Sequence, residues 1–208
     1  MRVVTAPVID FSFPHRWEAE ILAARPLILP PRHFVYPREA EEVERGALEV
    51  LVRPDVVRPD GNGTDQAPAD SPGGQPFLAT CALGFRDPAV PTGLWSTPNP
   101  QEICAVSGGY AYIIHTYAPD RFTMIEYRPV LTIRPVVSQN LLLFVGHRNI
   151  LAWGREGRAW QSEKLSDEGV GITNIESGVL RGNGWNMMTD KETAFSLDVS
   201  TGQRLPLS

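Results

Sequence analysis

The chain has 208 residues, 42% of them apolar and 21% charged, with a formal net charge of −5. This is a globular composition rather than a disordered one, and the acidic balance gives no electrostatic pull towards nucleic-acid phosphates or anionic lipid, which argues against both as partners. Glycine and proline, at 18 and 19 residues, exceed their ordinary combined share of about 12% and interrupt helices, so the expected fold is a single all-β domain over 1–208 with at most two short helices.

Prolines at 7, 14, 26, 30, 31, 37 and 54 break the first quarter of the chain. Each fixes its own backbone angle and steers its predecessor away from helix, which favours extended segments. Residues 17–22 (WEAEIL) put Trp17, Ala19 and Ile21 on one face of a strand. Residues 39–45, acidic and following Pro37, are the best helix candidate, because carboxylates in a first turn suit the helix dipole. Gly46 then opens the apolar, β-branched run 47–53, which Pro54 closes as a strand.

Residues 55–76 hold hardly any large apolar side chain after Val57 and are crowded with Gly, Pro, Asp and Ser. Such a segment does not repay its ordering entropy, and a mobile surface loop is expected. Asp60, Asn62 and Thr64 begin like a calcium loop, but Asp65 stands where that loop needs glycine and Ser71 where it needs a bidentate Glu. No metal is expected there.

The β character strengthens from Phe77. Residues 77–85 read as a largely buried strand and 87–93 as a turn. Residues 103–106 and 110–116 form a hairpin about Ser107-Gly108-Gly109, whose glycines supply the positive φ angles of a tight turn. Segments 122–127, 130–137 and 141–145 follow as further strands. With Gly157 set over Gly202, Ile150 falls over Phe195, Ala152 over Leu197, and Gly154-Arg-Glu-Gly157 over Val199-Ser-Thr-Gly202. Both copies read as strand, tight turn, strand. Over its last third the chain resembles β-propeller blade repeats, whose period is roughly 40 to 50 residues. The resemblance implies a style of fold and no activity. The chain holds about four such repeats, which allows an incomplete propeller-like stack or a β-sandwich.

The N-terminal segment lacks the continuous apolar core of a signal peptide. The longest apolar runs, at 110–114 and 141–145, fall far short of the roughly 18 residues of a spanning helix. A cytoplasmic protein without a membrane segment is expected. In that compartment Cys81 and Cys104, each in an apolar stretch, read as reduced, buried thiols on neighbouring strands.

No phosphate-binding glycine loop is present, and Ser107 lacks the glycine of a nucleophile elbow and reads as a turn serine. His15, His33, His115 and His147 are isolated from one another and from the cysteines, so neither a metal nor a cofactor is expected. His115 and His147 end strands, where they either converge on a ligand or serve as turn residues; the second is expected. Trp153 and Trp160 fall on strands and read as core. Trp185, between Gly184 and Asn186 in the polar and aromatic loop 182–190, combines a flat apolar ring with amide and carboxylate groups, the chemistry of sugar or peptide recognition. The functional expectation is a non-enzymatic cytoplasmic binding protein that contacts an unknown protein or small-molecule ligand through His147, Trp185, Asn186 and Asp190. No catalytic residue is assigned, and the oligomeric state stays open. The alternative is a carbohydrate-active or other hydrolytic enzyme with paired carboxylates among Asp167, Glu168 and Asp190, whose separation the sequence does not encode legibly.

Overall fold

A computed structural model describes residues 6–38, 46–55 and 74–206. The helix candidate at 39–45 and most of the loop expected at 55–76 lie outside the described residues, as does the aborted calcium-like segment. Among the described residues every regular element is a strand, apart from one 3-10 turn at Val137–Gln139. The fold is all-β, as the glycine and proline content demands, and no helix is long and apolar enough to cross a membrane among those residues.

The strands make four sheets. β1 (Val8–Asp10) leaves for the second sheet, while β2 (Trp17–Leu22), β3 (His33–Tyr36), β4 (Ala47–Pro54) and β5 (Phe77–Ala82) form the first, in the order β2-β4-β5-β3. β6 (Gly93–Ser96), β7 (Glu102–Ser107), β8 (Tyr110–His115) and β9 (Phe122–Met124) continue the second sheet outward from β1. β10 (Thr132–Val136), β11 (Leu141–Val145), β12 (Ile150–Gly154) and β13 (Gly157–Gln161) make the third as an antiparallel meander. β14 (Val170–Glu176), β15 (Val179–Asn186) and β16 (Lys191–Asp198) make the fourth.

Alternation along each strand decides how the sheets stack. Val50, Phe77 and Cys81 of the first sheet share a core with Leu94, Ile103, Tyr112 and Ile114 of the second. The intervening residues Trp95, Cys104 and Ile113 point the other way, into a core with Leu142, Phe144 and Leu151 of the third. Leu143, Val145 and Ile150 then pack on Leu180, Phe195 and Leu197 of the fourth. The sheets therefore lie in series, with three cores between them. The two inner sheets are covered on both faces, which is why β7, β8, β11 and β12 read as unbroken apolar runs. The sheets do not close into a barrel. The two copies aligned in sequence are both strand-turn segments, and Ile150, Ala152, Phe195 and Leu197 all enter the same third core.

Several expected details change. The strand expected at 77–85 stops at Ala82, because the chain then turns to the Gly108 turn, where the Gly84 and Phe85 N–H groups donate to the Ser107 and Gly108 carbonyls. Cys81 and Cys104 are free and buried, but they belong to facing sheets rather than to adjacent strands of one. Gly182 to Asn186, expected in a loop, is the second half of β15. The hairpin about Gly108 and Gly109 is as expected, with φ of 56° and 76° at the two glycines.

Candidate ligand-binding site

Trp185 owes its position to parity. Leu180, Gly182 and Gly184 of β15 face the third core, so Val179, Arg181, Asn183 and Trp185 face outward, away from the stack. The inward glycines are required by space: a Cβ at Gly182 would lie 2.2 Å from the Gly171 carbonyl oxygen, and one at Gly184 would lie 2.1 Å from that of Leu165. Across the ladder, Trp185 pairs with Glu192, and Asn183 lies between Gly171 and Ala194.

Two clefts flank the indole. The first is an open trough of about 370 Å³ on the outward face, lined by Glu168, Gly171, Thr173, Asn183, Trp185 and Glu192 among others. The second, of about 290 Å³, includes Lys164, Ser166, Asp167, Asn186, Thr193 and Arg204 with the other side of Trp185. In the second cleft the polar groups, the Thr193 hydroxyl apart, already serve one another. Ser166 Oγ accepts from Trp185 N–H at 2.9 Å, and the Asp167 N–H donates to the Trp185 carbonyl at 2.7 Å. Asp167 Oδ2 accepts from Met187 N–H at 2.8 Å while its other oxygen pairs with Lys164. The Lys164 ammonium, followed by the Met187 N–H, holds the Asp167 carboxyl below its ordinary value. Arg204 pairs with Glu163. This cleft is a clamp that fixes the backbone of Trp185.

The trough differs. Asn183 Nδ2 donates to Glu192 Oε2 at 3.2 Å, and nothing else in it is engaged: the Trp185 indole N–H, the Thr173 hydroxyl and the Glu168 carboxylate have no side-chain partner among the described residues. By contrast, Trp17, Trp153 and Trp160 donate their indole N–H groups to Glu102 O, Glu102 Oε2 and Val199 O.

Asn186 follows Trp185, and its Oδ1 accepts from Met188 and Thr189 N–H, so its side chain builds the β15–β16 turn. Asp190 closes that turn with a φ of 54° and is exposed. His147 is exposed on the β11–β12 turn of the third sheet; the next residue, Arg148, accepts the Leu165 N–H at 2.7 Å and so anchors the segment that clamps Trp185. His115 accepts the Ala118 N–H through Nδ1 at 3.2 Å and serves the β8–β9 turn. No contact joins it to His147. Among the described residues no group of three or more His, Cys, Asp and Glu could hold a metal ion.

Sequence reasoning did not single out Ser166, Asn183 or Glu192. Ser166 is buried, and no local pattern distinguishes it from the other serines of the chain. A second polar cluster was equally unmarked. On the outward face of the first sheet, Thr80 Oγ1 donates to Glu49 Oε2 at 2.5 Å, His33 Nε2 lies 2.9 Å from Thr80 Oγ1, and Arg25 approaches both His33 Nε2 at 3.1 Å and Glu49 Oε1 at 3.7 Å. Burial, followed by the Arg25 charge, lowers the His33 value. Comparison with protein-family models, with curated proteins and with solved structures finds no match for the chain.

Proposed function

We propose that the protein is a non-enzymatic binding protein of the cytoplasm, and that its contact surface is the outward face of the fourth sheet around Trp185, with the turns carrying Asn186, Asp190 and His147 as its rim. The observation that carries this reading is the asymmetry of the two clefts. One side of Trp185 is held by a largely self-satisfied clamp, while the other opens onto its own indole N–H, the Thr173 hydroxyl and the Glu168 carboxylate, which have no side-chain partner among the described residues. Rigid support behind an aromatic ring with free donors and acceptors in front of it is what a recognition site needs, since groups already held in place lose little entropy on binding.

The hydrolytic alternative finds less support. Asp167 is held ionised by Lys164 and spent on the Met187 N–H, whereas a general acid needs a raised value. Glu168 does line the trough, with Glu192 rather than Asp190 as its companion, but Glu192 is exposed and tied to Asn183. The test is a pull-down from native lysate, paired with a thermal-shift screen of small molecules, using wild-type protein and Trp185→Ala. A bound species that raises the melting temperature of the wild type and is lost from the variant supports the reading. Retention of every bound species by the variant overturns it.

A further inference from the structure

We infer that the trough beside Trp185 is a subsite for a neutral sugar, a pyranose ring that lays its C–H face on the indole while its hydroxyl groups reach Asn183, Glu192, Thr173 and Glu168. The inference rests on the reading of this surface as a binding site and names what fills it.

The floor of the trough is made by small residues. Gly182 and Gly184 face inward and are glycine because nothing larger fits. Gly171 faces outward, has no left-handed φ, and a Cβ there would meet only the Asn183 carbonyl oxygen, at an ordinary 3.7 Å. Neither strain nor packing demands glycine at that position. Glycine inside a strand marks a bulge, a bend or a close approach; the ladder shifts register nearby, between Ile172 and Asn174, and at Gly171 the missing side chain leaves the channel floor open. With Ala194 on the other flank of Asn183, the row Gly171-Asn183-Ala194 leaves one amide standing in a shallow channel beside an aromatic wall.

The donors and acceptors of the trough suit hydroxyl groups. Asn183 spends one N–H on Glu192, which fixes the orientation of the pair and leaves an amide oxygen, a second N–H and carboxylate oxygens facing the channel. Adjacent hydroxyls, which donate and accept at once, complement such a set. The indole offers an apolar face with an N–H at its edge. The trough, at about 370 Å³, is within the usual size of a small-molecule site.

Charge narrows the class. Glu168 and Glu192 line the trough on a chain of net charge −5, which disfavours phosphates and acidic sugars.

The experiment titrates the full chain with neutral oligosaccharides of gluco, galacto, manno and xylo configuration, with polygalacturonate oligomers and with a lysine-rich peptide as comparisons. Tryptophan fluorescence and amide chemical shifts are followed. Trp17, Trp95, Trp153 and Trp160 are buried, so a fluorescence change from a surface ligand reports Trp185. A neutral oligosaccharide should shift the amides of Gly171, Asn183 and Gly184, and Trp185→Ala should weaken it by about tenfold or more. The decisive variant is Gly171→Leu, which fills the channel without touching the core. It should abolish sugar binding while leaving the melting temperature unchanged or raised. Binding that survives Gly171→Leu, or no response to any neutral sugar, overturns the inference. If the lysine-rich peptide alone binds and requires Trp185, the ligand class is wrong although the surface is right. If a partner binds and does not require Trp185, both readings fall.

Discussion

The first and fourth sheets end the stack, and they finish their outward faces in different ways. On the first sheet β2 runs parallel to β3 with β4 and β5 between them, so the connection has to cross the sheet, and the contacts of Arg25 with Glu49 place that crossing over the outward face. Beneath it the outward side chains of Leu78 and Thr80 are wholly buried. The fourth sheet is a simple meander with no crossing, and its outward face stays open around Asn183 and Trp185. Topology, more than composition, thus decides which terminal face becomes a closed polar network and which remains available. The crossing does leave Leu27 and Ile28 fully exposed, at 104% and 89%, between prolines that restrict the backbone on both sides.

The contrast breaks most severely at Glu49. Its side chain is 8% exposed and holds both the Thr80 hydroxyl and the Arg25 guanidinium. Glu49→Ala removes the charged acceptor of the buried Thr80 hydroxyl and the carboxylate beside Arg25, leaving His33 as the neighbour of both, and we expect a loss of about 2 to 3 kcal/mol in stability, the range of a hydrogen bond to a charged group. Urea unfolding should show the midpoint falling with an unchanged slope. A loss below about 0.5 kcal/mol, the range of ordinary surface substitutions, would mean that the crossing is not tied down by this network and that the two outward faces are alike.

A smaller effect is expected behind the open face. Ser166→Ala removes the acceptor of the Trp185 N–H and leaves that amide without its partner, at a cost of about 1 to 2 kcal/mol. Amide hydrogen exchange at Trp185, Asp167 and Glu168 should accelerate, since the Ser166 hydroxyl also accepts from the Glu168 N–H at 3.1 Å, while exchange in the first sheet should not change. Acceleration spread evenly over all four sheets would show that Ser166 supports the whole stack rather than one tryptophan.

What the sequence reveals follows the same division. The inner strands bury both faces, so Leu141 to Val145 and Tyr110 to Ile114 announce themselves as apolar runs. Trp17, Ala19 and Ile21 are visible as one face because β2 alternates cleanly. β15 is hidden: its inward positions are Gly182 and Gly184, imposed by Leu165 and Phe195 from other elements, and its outward positions are polar. Such a segment has the composition of a loop, and only the register with β14 and β16 makes it a strand. Trp185 stands out in the sequence as an aromatic among polar residues, but its neighbours Asn183 and Glu192 meet across a ladder that no local pattern encodes. The Thr80 network was invisible for the same reason, since Arg25, His33, Glu49 and Thr80 come together only once the crossing is made.

The smallest effect is expected at Asp167, whose carboxylate resembles that of Glu49 in having a basic partner and a hydrogen-bond donor but lies at the surface. Lys164 and the Met187 N–H favour its ionised form, so its value in the folded chain is below the ordinary carboxylate value of about 3.9. The stabilisation it supplies is therefore complete above that ordinary value and disappears as the pH falls through the lowered one. Asp167→Asn keeps an oxygen for the Met187 N–H and loses the charge opposite Lys164. It should lower the melting temperature slightly at neutral pH, and the gap between variant and wild type should close as both are acidified. Added salt should narrow the gap as well, because a surface ion pair is screened. A gap that widens in acid, or one as large as that of Glu49→Ala, would place the Asp167 pair inside the fold's supporting structure and remove the distinction between a carboxylate covered by a crossing chain and one left at an open edge.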